Sequence, residues 1–213
     1  MTDRKDFYNK GYDYNARKPY FIEEDKLTDR QKHLLTNSDT FCMMPWVHMH
    51  AFPDGRAYPC CLSDYWHPVG DLRKNTMEEV WNQKPYKDMR VNMLDERKCK
   101  ECVKCYEQEQ HGAFSMRNDA NRNYGHHIGE IDDTQIDGTN PKFKIRYWDV
   151  RFSNICQLRC RSCGSIFSSR WYDDDVKLFG KELRPRVSFA GRHEEDVWEQ
   201  MQEHIPYLEQ IYF

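Results

Sequence analysis

The chain has 213 residues, of which 35 are acidic and 32 are basic, so its formal net charge is −3. That charge gives no support for a nucleic-acid-binding protein, because such proteins concentrate positive charge on one surface. The longest stretch without Asp, Glu, Lys or Arg covers 14 residues, 40–53, whereas a membrane-spanning helix needs about 20 apolar residues. The amino-terminal residues carry charges where a secretory signal needs its apolar stretch, so we expect a cytoplasmic protein that does not bind a membrane.

Residues 1–39 are charged and rich in Tyr, without a sustained helical or strand period, and we predict a flexible amino-terminal arm there. Residues 40–122 are predicted to form a small cysteine-containing domain. It begins with a hairpin, because a Pro-Asp-Gly turn at 53–55 separates two apolar runs. Thr76 followed by Glu79 matches a capping box and predicts the start of a helix.

Residues 123–142 are rich in Gly, Asn and Asp and are predicted to be a linker. Residues 143–152 alternate in polarity and predict a strand, and residues 208–213 predict a second one. Between them we expect two helices, 165–178 and 194–205. The last part of the chain, 143–213, is therefore predicted to have a β/α/β order.

Nine cysteines are the most distinctive feature of the composition. They occur as Cys42, Cys60 with Cys61, Cys99 with Cys102 and Cys105, and Cys156 with Cys160 and Cys163. An odd number in such groups does not suit a disulfide framework, and in a reducing compartment these groups are more often metal ligands.

Cys156, Cys160 and Cys163 have the spacing C-x3-C-x2-C, directly after a predicted strand and before a predicted helix. Three thiolates on one short loop can bind three corners of an iron-sulfur cube and leave the fourth iron without a protein ligand. An open metal position is typical of catalytic sites. A zinc site or a set of buried free thiols is the alternative interpretation.

The run FSNICQLRCRSCG at 152–164 resembles the cluster loop of the radical S-adenosylmethionine (radical SAM) superfamily. The resemblance implies that Cys156, Cys160 and Cys163 bind a [4Fe-4S] cluster. It also implies that the open iron binds S-adenosylmethionine, whose reductive cleavage gives methionine and a 5′-deoxyadenosyl radical. That chemistry belongs to the cofactor, and the protein supplies position and exclusion of water.

The first cysteines follow the pattern C-x12-G-x4-C, from Cys42 through Gly55 to Cys60, and Cys99-x2-Cys102 comes later. This arrangement is similar to the SPASM and twitch auxiliary-cluster domains of the same superfamily. The resemblance implies that Cys42, Cys60, Cys99 and Cys102 are the ligands of an auxiliary [4Fe-4S] cluster, with Cys105 as a substitute for one of them. A tetrahedral zinc knuckle is the alternative. Cys61, on the opposite face of its strand from Cys60, is interpreted as a packed thiol.

By resemblance the fold class is α/β: the first β/α/β portion of a partial (βα)6 radical SAM barrel, preceded by a small α+β twitch-like domain. In the superfamily a Gly-Gly-Glu stretch follows the second core strand, but this chain stops at Phe213, on that strand. We therefore expect a fragment of a longer parent, inactive by itself.

The resemblance implies an oxidoreductase that cleaves S-adenosylmethionine to start the radical modification of a peptide or small molecule, with flavodoxin or ferredoxin as the reductant. The alternative is a non-enzymatic iron-sulfur or zinc-binding module for electron transfer or interaction.

Several other residues are considered for function. His48 and His50 share one strand face, but hydrogen-bonded core histidines are commoner than metal ligands. His126 and His127 lie in the predicted linker and are expected to be solvated. Residues 109–117 join the cluster domain to the core, and no further role is assigned to them.

Overall fold

The computed structural model describes residues 22–212. Most of the predicted arm, residues 1–21, lies outside this range, as does Phe213. The described chain divides into two compact units. We call them the helical unit, which comprises 22–47, 62–67 and 84–144, and the sheet unit, which comprises 48–61, 68–83 and 145–212.

The α-helices and strands are, in chain order, α1 (Asp29–Thr36), α2 (Met44–Val47), β1 (His48–Ala51), β2 (Arg56–Tyr58), β3 (Gly70–Asp71), α3 (Met77–Trp81), α4 (Lys84–Leu94), α5 (Val103–Gln110), α6 (Met116–Tyr124), β4 (Tyr147–Val150), α7 (Tyr172–Phe179), α8 (Asp196–Met201) and β5 (Gln210–Tyr212). Short 3-10 helices cover Glu24–Lys26, Lys100–Cys102, Gly125–Asp133, Ser169–Trp171 and Gln202–Tyr207. Among the described residues no helix combines the length and the apolar character that crossing a bilayer requires.

The sheet unit is built on a five-stranded sheet with the order β3-β2-β1-β4-β5. The predicted hairpin is confirmed, because β1 and β2 pair antiparallel around the turn at 53–55. Gly55 has a φ of +82°, and a Cβ there would lie 2.7 Å from the Arg73 side chain, so this turn requires glycine. β1 also pairs with β4, and β4 with β5, both in parallel. The α/β class is confirmed, and within residues 22–212 the sheet is open and forms no barrel.

Local sequence signals set the start of α3 and the end of α7, although α7 begins at Tyr172 and not at the predicted residue 165. The capping box of α3 is confirmed: Glu79 N donates to Thr76 Oγ1 (3.1 Å) and Thr76 N donates to Glu79 Oε2 (2.7 Å). Helix α7 ends at Gly180, which has the left-handed φ of +69°. Helix α8 changes to a 3-10 helix at Gln202, and Ile205 in this 3-10 helix is 50% exposed.

In the helical unit, two segments without predicted structure are folded. Residues 29–36 of the predicted arm form α1, whose capping box joins Thr28 and Gln31 and whose Leu34 and Leu35 are buried. The predicted linker, 123–142, contains the 3-10 helix Gly125–Asp133 with two buried isoleucines. Both segments bury apolar side chains, which is what holds them in place.

Candidate metal centres

Four cysteines of the helical unit are close enough to influence one another's ionisation, although in the described part of the chain no three of their sulfur atoms lie within 4.8 Å of one another. Cys42 precedes α2. Cys99 and Cys102 lie at the start and the end of the short turn before α5, and Cys105 lies in the first turn of α5. We call this set the thiol group; its members are Cys42, Cys99, Cys102 and Cys105. Three of them are buried, and Cys102 is half-buried. The C-x2-C pair is closed by a backbone hydrogen bond of 3.1 Å from Cys102 N to Cys99 O.

The thiols of this group perturb one another electrostatically. Burial raises the pKa of Cys42 strongly, and Cys102 and Cys105 raise it further. The pKa of Cys102 is raised by a hydrogen bond with Cys99 and then by burial. Burial and the neighbouring Cys102 raise the pKa of Cys105. These sulfur atoms repel one another as thiolates, so a positively charged metal or cluster between them would stabilise the deprotonated forms that metal binding needs.

Tyr106 links two parts of the thiol group. Its hydroxyl accepts a hydrogen bond from Cys99 N (3.2 Å) and donates to Thr40 O (3.5 Å), two residues before Cys42. Burial raises the pKa of Tyr106, and so does the charge of Cys102. The phenol therefore stays protonated and holds the Cys42 and Cys99 segments together.

Helix α6 holds the chain on both sides of Cys42. Phe41 O accepts from Arg117 Nη1 (2.9 Å) and from Asn121 Nδ2 (3.0 Å). Met43 N, on the other side of Cys42, donates to Asn121 Oδ1 (2.9 Å). Sequence reasoning included Arg117 only in the stretch 109–117 that joins the cluster domain to the core, and it did not identify Asn121. The i, i+4 spacing of the two residues, which places both on one helical face, is the signal that could have paired them.

Cys60 and Cys61 lie in the sheet unit, directly after β2, and both are half-buried. They act on the hydroxyl of Tyr147 in β4, whose pKa is raised by burial, then by Asp149, and then by Cys61 and Cys60. The two cysteines therefore lie near the Tyr147 hydroxyl.

The third cysteine group lies in residues 151–168, between β4 and the 3-10 helix Ser169–Trp171. We call this segment the Cys156 loop. The predicted order of strand, cysteine loop and helix is confirmed, but the strand ends at Val150 and the 3-10 helix begins at Ser169, so the loop is longer than predicted. Cys160 is exposed, and Cys156 and Cys163 are half-buried. Cys163 N donates to Cys160 O (3.0 Å), and Trp171 Nε1 donates to the same carbonyl (3.2 Å). The thiols are thus presented at the surface on a hydrogen-bonded loop.

Asn154 closes the base of the Cys156 loop. It is fully buried, and its Nδ2 donates to Ser165 O (2.9 Å) and to Arg186 O (3.0 Å). Its Oδ1 accepts from Ser188 N (2.9 Å). Sequence reasoning did not identify this residue, because its partners lie 11 to 34 positions away along the chain.

His48 and His50 are both buried in the core, as the sequence interpretation favoured. His48 Nδ1 lies 2.7 Å from Tyr147 O, and its ring stacks on the Tyr147 ring. His50 Nδ1 lies 3.1 Å from Asp149 Oδ2 in the adjacent strand. Burial lowers the pKa of His48 to about 4 despite its hydrogen bond to Tyr147, so this ring is neutral at pH 7.

Comparison with known proteins bears on the first cysteine groups. Residues 42–106 match the model of the SPASM family, an iron-sulfur cluster-binding domain. No curated protein and no solved structure matches the chain. The matched segment contains six of the nine cysteines, including the whole thiol group. The SPASM match supports iron-sulfur binding in this segment, and such domains are typical of radical SAM proteins.

The donor set fits the cofactor that the family match implies. Thiolates are the ligands of iron-sulfur clusters and of structural zinc. The thiol group offers sulfur donors that are mostly buried and hydrogen-bonded in place. The residues present therefore suit an iron-sulfur cluster shielded from water.

Proposed function

We propose that this chain is the cluster-binding part of a radical SAM enzyme and carries two iron-sulfur clusters with different access to solvent. The observation that carries the proposal is the grouping of Cys42, Cys99, Cys102 and Cys105 inside a segment matched by an iron-sulfur domain. The surface loop with C-x3-C-x2-C spacing adds a second set of thiols. A site in which protein thiolates fill every metal position is typical of a structural role, whereas a site with an open metal position is typical of catalysis.

The auxiliary cluster is assigned to the ligands that the spacing pattern predicts: Cys42, Cys60, Cys99 and Cys102. Cys105 is the alternative fourth ligand, because it interacts with both Cys42 and Cys102. Burial of the Cys42 and Cys99 side chains excludes water from this site. A four-thiolate cluster of this kind transfers electrons or holds a substrate, without an open position of its own.

The radical SAM cluster is assigned to Cys156, Cys160 and Cys163. When bound, this cluster and S-adenosylmethionine would supply the 5′-deoxyadenosyl radical. The residues of the chain hold the three thiolates on the Cys156 loop and keep Cys160 accessible from solvent. That access suits both the entry of S-adenosylmethionine and the approach of flavodoxin or ferredoxin. The substrate is a peptide or small molecule.

Metal analysis after anaerobic reconstitution tests the proposal. The chain should hold about eight irons and eight sulfides. Cys42→Ala and Cys160→Ala should each remove about half of this iron, and Cys61→Ala is the matched control that should remove none. Cys60→Ala and Cys105→Ala identify the fourth auxiliary ligand, since only the ligand's replacement should remove iron. A chain that takes up only zinc, at one or two ions, would contradict the proposal.

An electron-transfer module without S-adenosylmethionine chemistry is the second candidate, because the family match covers 42–106 and does not include the Cys156 loop. Electron spin resonance on the reconstituted, reduced chain distinguishes the two. The signal lost in Cys160→Ala belongs to the proposed radical SAM cluster, and the signal lost in Cys42→Ala belongs to the auxiliary cluster. In the enzyme, adding S-adenosylmethionine changes the first signal and leaves the second unchanged. In the module, it changes neither signal.

A further inference from the structure

The backbone around Cys42 is fixed from one side by two side chains of helix α6. Arg117 and Asn121 both donate to Phe41 O, and Asn121 also accepts from Met43 N. Arg117 Nη1 reaches Ser38 O as well, at 3.0 Å. We call Arg117 and Asn121 the Cys42 clamp. The clamp residues are 4% and 2% exposed, so their hydrogen bonds are shielded from competing water.

Arg117 is itself fixed by an acidic partner. Its Nε donates to Glu109 Oε1 (2.9 Å), its Nη2 donates to Glu109 Oε2, and Ser115 Oγ donates to the same carboxylate. This fork-to-fork pairing sets the plane of the guanidinium. The planar guanidinium therefore donates to three groups at once: the Glu109 carboxylate, Ser38 O and Phe41 O. A Lys ammonium cannot reproduce this arrangement.

Arg117 also brings a permanent positive charge to the thiol group. Its Nη1 lies 2.9 Å from Phe41 O, the carbonyl directly before Cys42, so the guanidinium is held beside the segment that carries this thiol. Arginine does not lose its proton in proteins, so this charge is independent of pH. Charges and hydrogen bonds around ligating sulfurs are among the features that set the reduction potential of an iron-sulfur cluster.

We infer that the Cys42 clamp positions Cys42 as a cluster ligand and that the charge of Arg117 raises the reduction potential of the auxiliary cluster. This inference rests on the proposed function, because it needs a cluster at Cys42. Both clamp residues are positioning residues: they act on the ligand segment through hydrogen bonds and charge. Arg117→Lys separates the two effects, since it keeps the charge and loses the fork.

The positioning effect is measured on the metal-free chain by amide hydrogen exchange at Met43, whose N–H is bonded to the clamp. Asn121→Ala should speed this exchange about tenfold, the change expected from the loss of one buried hydrogen bond. Arg117→Lys should speed it as well, because Phe41 O loses a partner. The matched controls on α6 are Asn123→Ala and Arg122→Lys, whose side chains bond to Asp119 instead. Equal exchange at Met43 in wild type and Asn121→Ala would overturn the positioning role.

The charge effect is measured on the reconstituted chain by redox titration of the auxiliary cluster, in variants that lack Cys160. Arg117→Gln should lower the midpoint potential, Arg117→Lys should leave it near the wild-type value, and Glu109→Gln should raise it. If Arg117→Gln does not fold, the potential of Glu109→Gln alone tests the charge role. This variant retains the arginine and removes the opposing negative charge, so the potential should rise. An unchanged potential in the folded charge variants would overturn the charge role.

These two measurements separate the inference from the proposed function. A wild-type chain that binds no iron contradicts the proposed function, and the charge role with it, while the exchange of Met43 still decides the positioning role. A wild-type chain that binds both clusters, with exchange and potential unchanged in the variants, contradicts the inference alone.

Discussion

Replacing Asn154 by Ala removes the side chain that closes the base of the Cys156 loop. The buried amide makes three hydrogen bonds, to Ser165 O, Arg186 O and Ser188 N. Each buried hydrogen bond contributes about 1 kcal/mol net to stability, so the variant should lose about 3 kcal/mol. Ser165 is 4% exposed, so its carbonyl loses a partner that water does not readily replace, whereas the bonds to Arg186 O and Ser188 N are only part-buried; about 3 kcal/mol is therefore the upper end of the expected loss.

Amide hydrogen exchange at Ser188, with urea unfolding followed by tryptophan fluorescence, measures this loss. Asn154→Asp is the informative second variant, because it keeps the acceptor for Ser188 N and loses both donors. The Ser188 N–H should therefore exchange more slowly in Asn154→Asp than in Asn154→Ala, although the new carboxylate faces the carbonyl oxygens of Ser165 and Arg186. Asn92→Ala is the control, since the Asn92 side chain accepts a hydrogen bond from Arg97 at an exposed position, and it should change stability by less than about 0.5 kcal/mol. A loss below that same value in Asn154→Ala would refute the closing role of Asn154.

Three further predictions concern cysteine access, a carboxylate and two glycines. In the metal-free chain, iodoacetamide should modify exposed Cys160 before buried Cys42 and Cys99, as measured by mass spectrometry; equal rates would contradict the burial of the thiol group. The pKa of Asp149 is lowered: burial alone would raise it, but the hydrogen bond from His50 and the charges of His50 and Arg151 prevail. Ionised Asp149 therefore stabilises the fold at pH values above its ordinary pKa of 3.8, and this stabilisation is lost as the pH falls through the lowered value. Asp149→Asn should make the free energy of unfolding depend less on pH in this acid range. An unchanged dependence would contradict the interaction of Asp149 with His50 and Arg151. Gly138→Ala places a Cβ 2.1 Å from Lys87 O at a φ of +85°, whereas Gly112→Ala at a φ of +75° meets no atom within 4 Å. The first should cost more than about 3 kcal/mol and the second about 1 kcal/mol, by the steric penalties of left-handed backbone and overpacking; equal losses in thermal unfolding would contradict the close approach to Lys87.

Features set by neighbours in the chain were predictable from the sequence. The turn at 53–55, the capping box at Thr76 and the glycine that ends α7 all depend on contacts within four residues, and all three are present in the structure. Cysteine spacing belongs to the same class, because C-x2-C and C-x3-C-x2-C define local loops. The family match to 42–106 agrees with the first of these groups.

Features set by distant contacts were not predictable in this way. The sequence was divided into an amino-terminal cysteine domain and a core from residue 143, but β1 of the first part pairs in parallel with β4 of the second. Helix α1 has eight residues, too few for a periodic signal, although its Thr28–Gln31 capping box is a local signal that the sequence interpretation did not use. The Cys42 clamp joins residues separated by 76 to 80 positions, and no local pattern encodes such a pairing.

The clamp also restricts how the length of helix α6 can change during evolution. Arg117 and Asn121 reach the same carbonyl because they are separated by four residues, slightly more than one helical turn. One residue inserted between them would rotate Asn121 by about 100° around the helix axis. The amide would then point away from Phe41 while the arginine stayed in place. We therefore expect insertions and deletions to be selected against between positions 117 and 121, even though this stretch contains no cysteine.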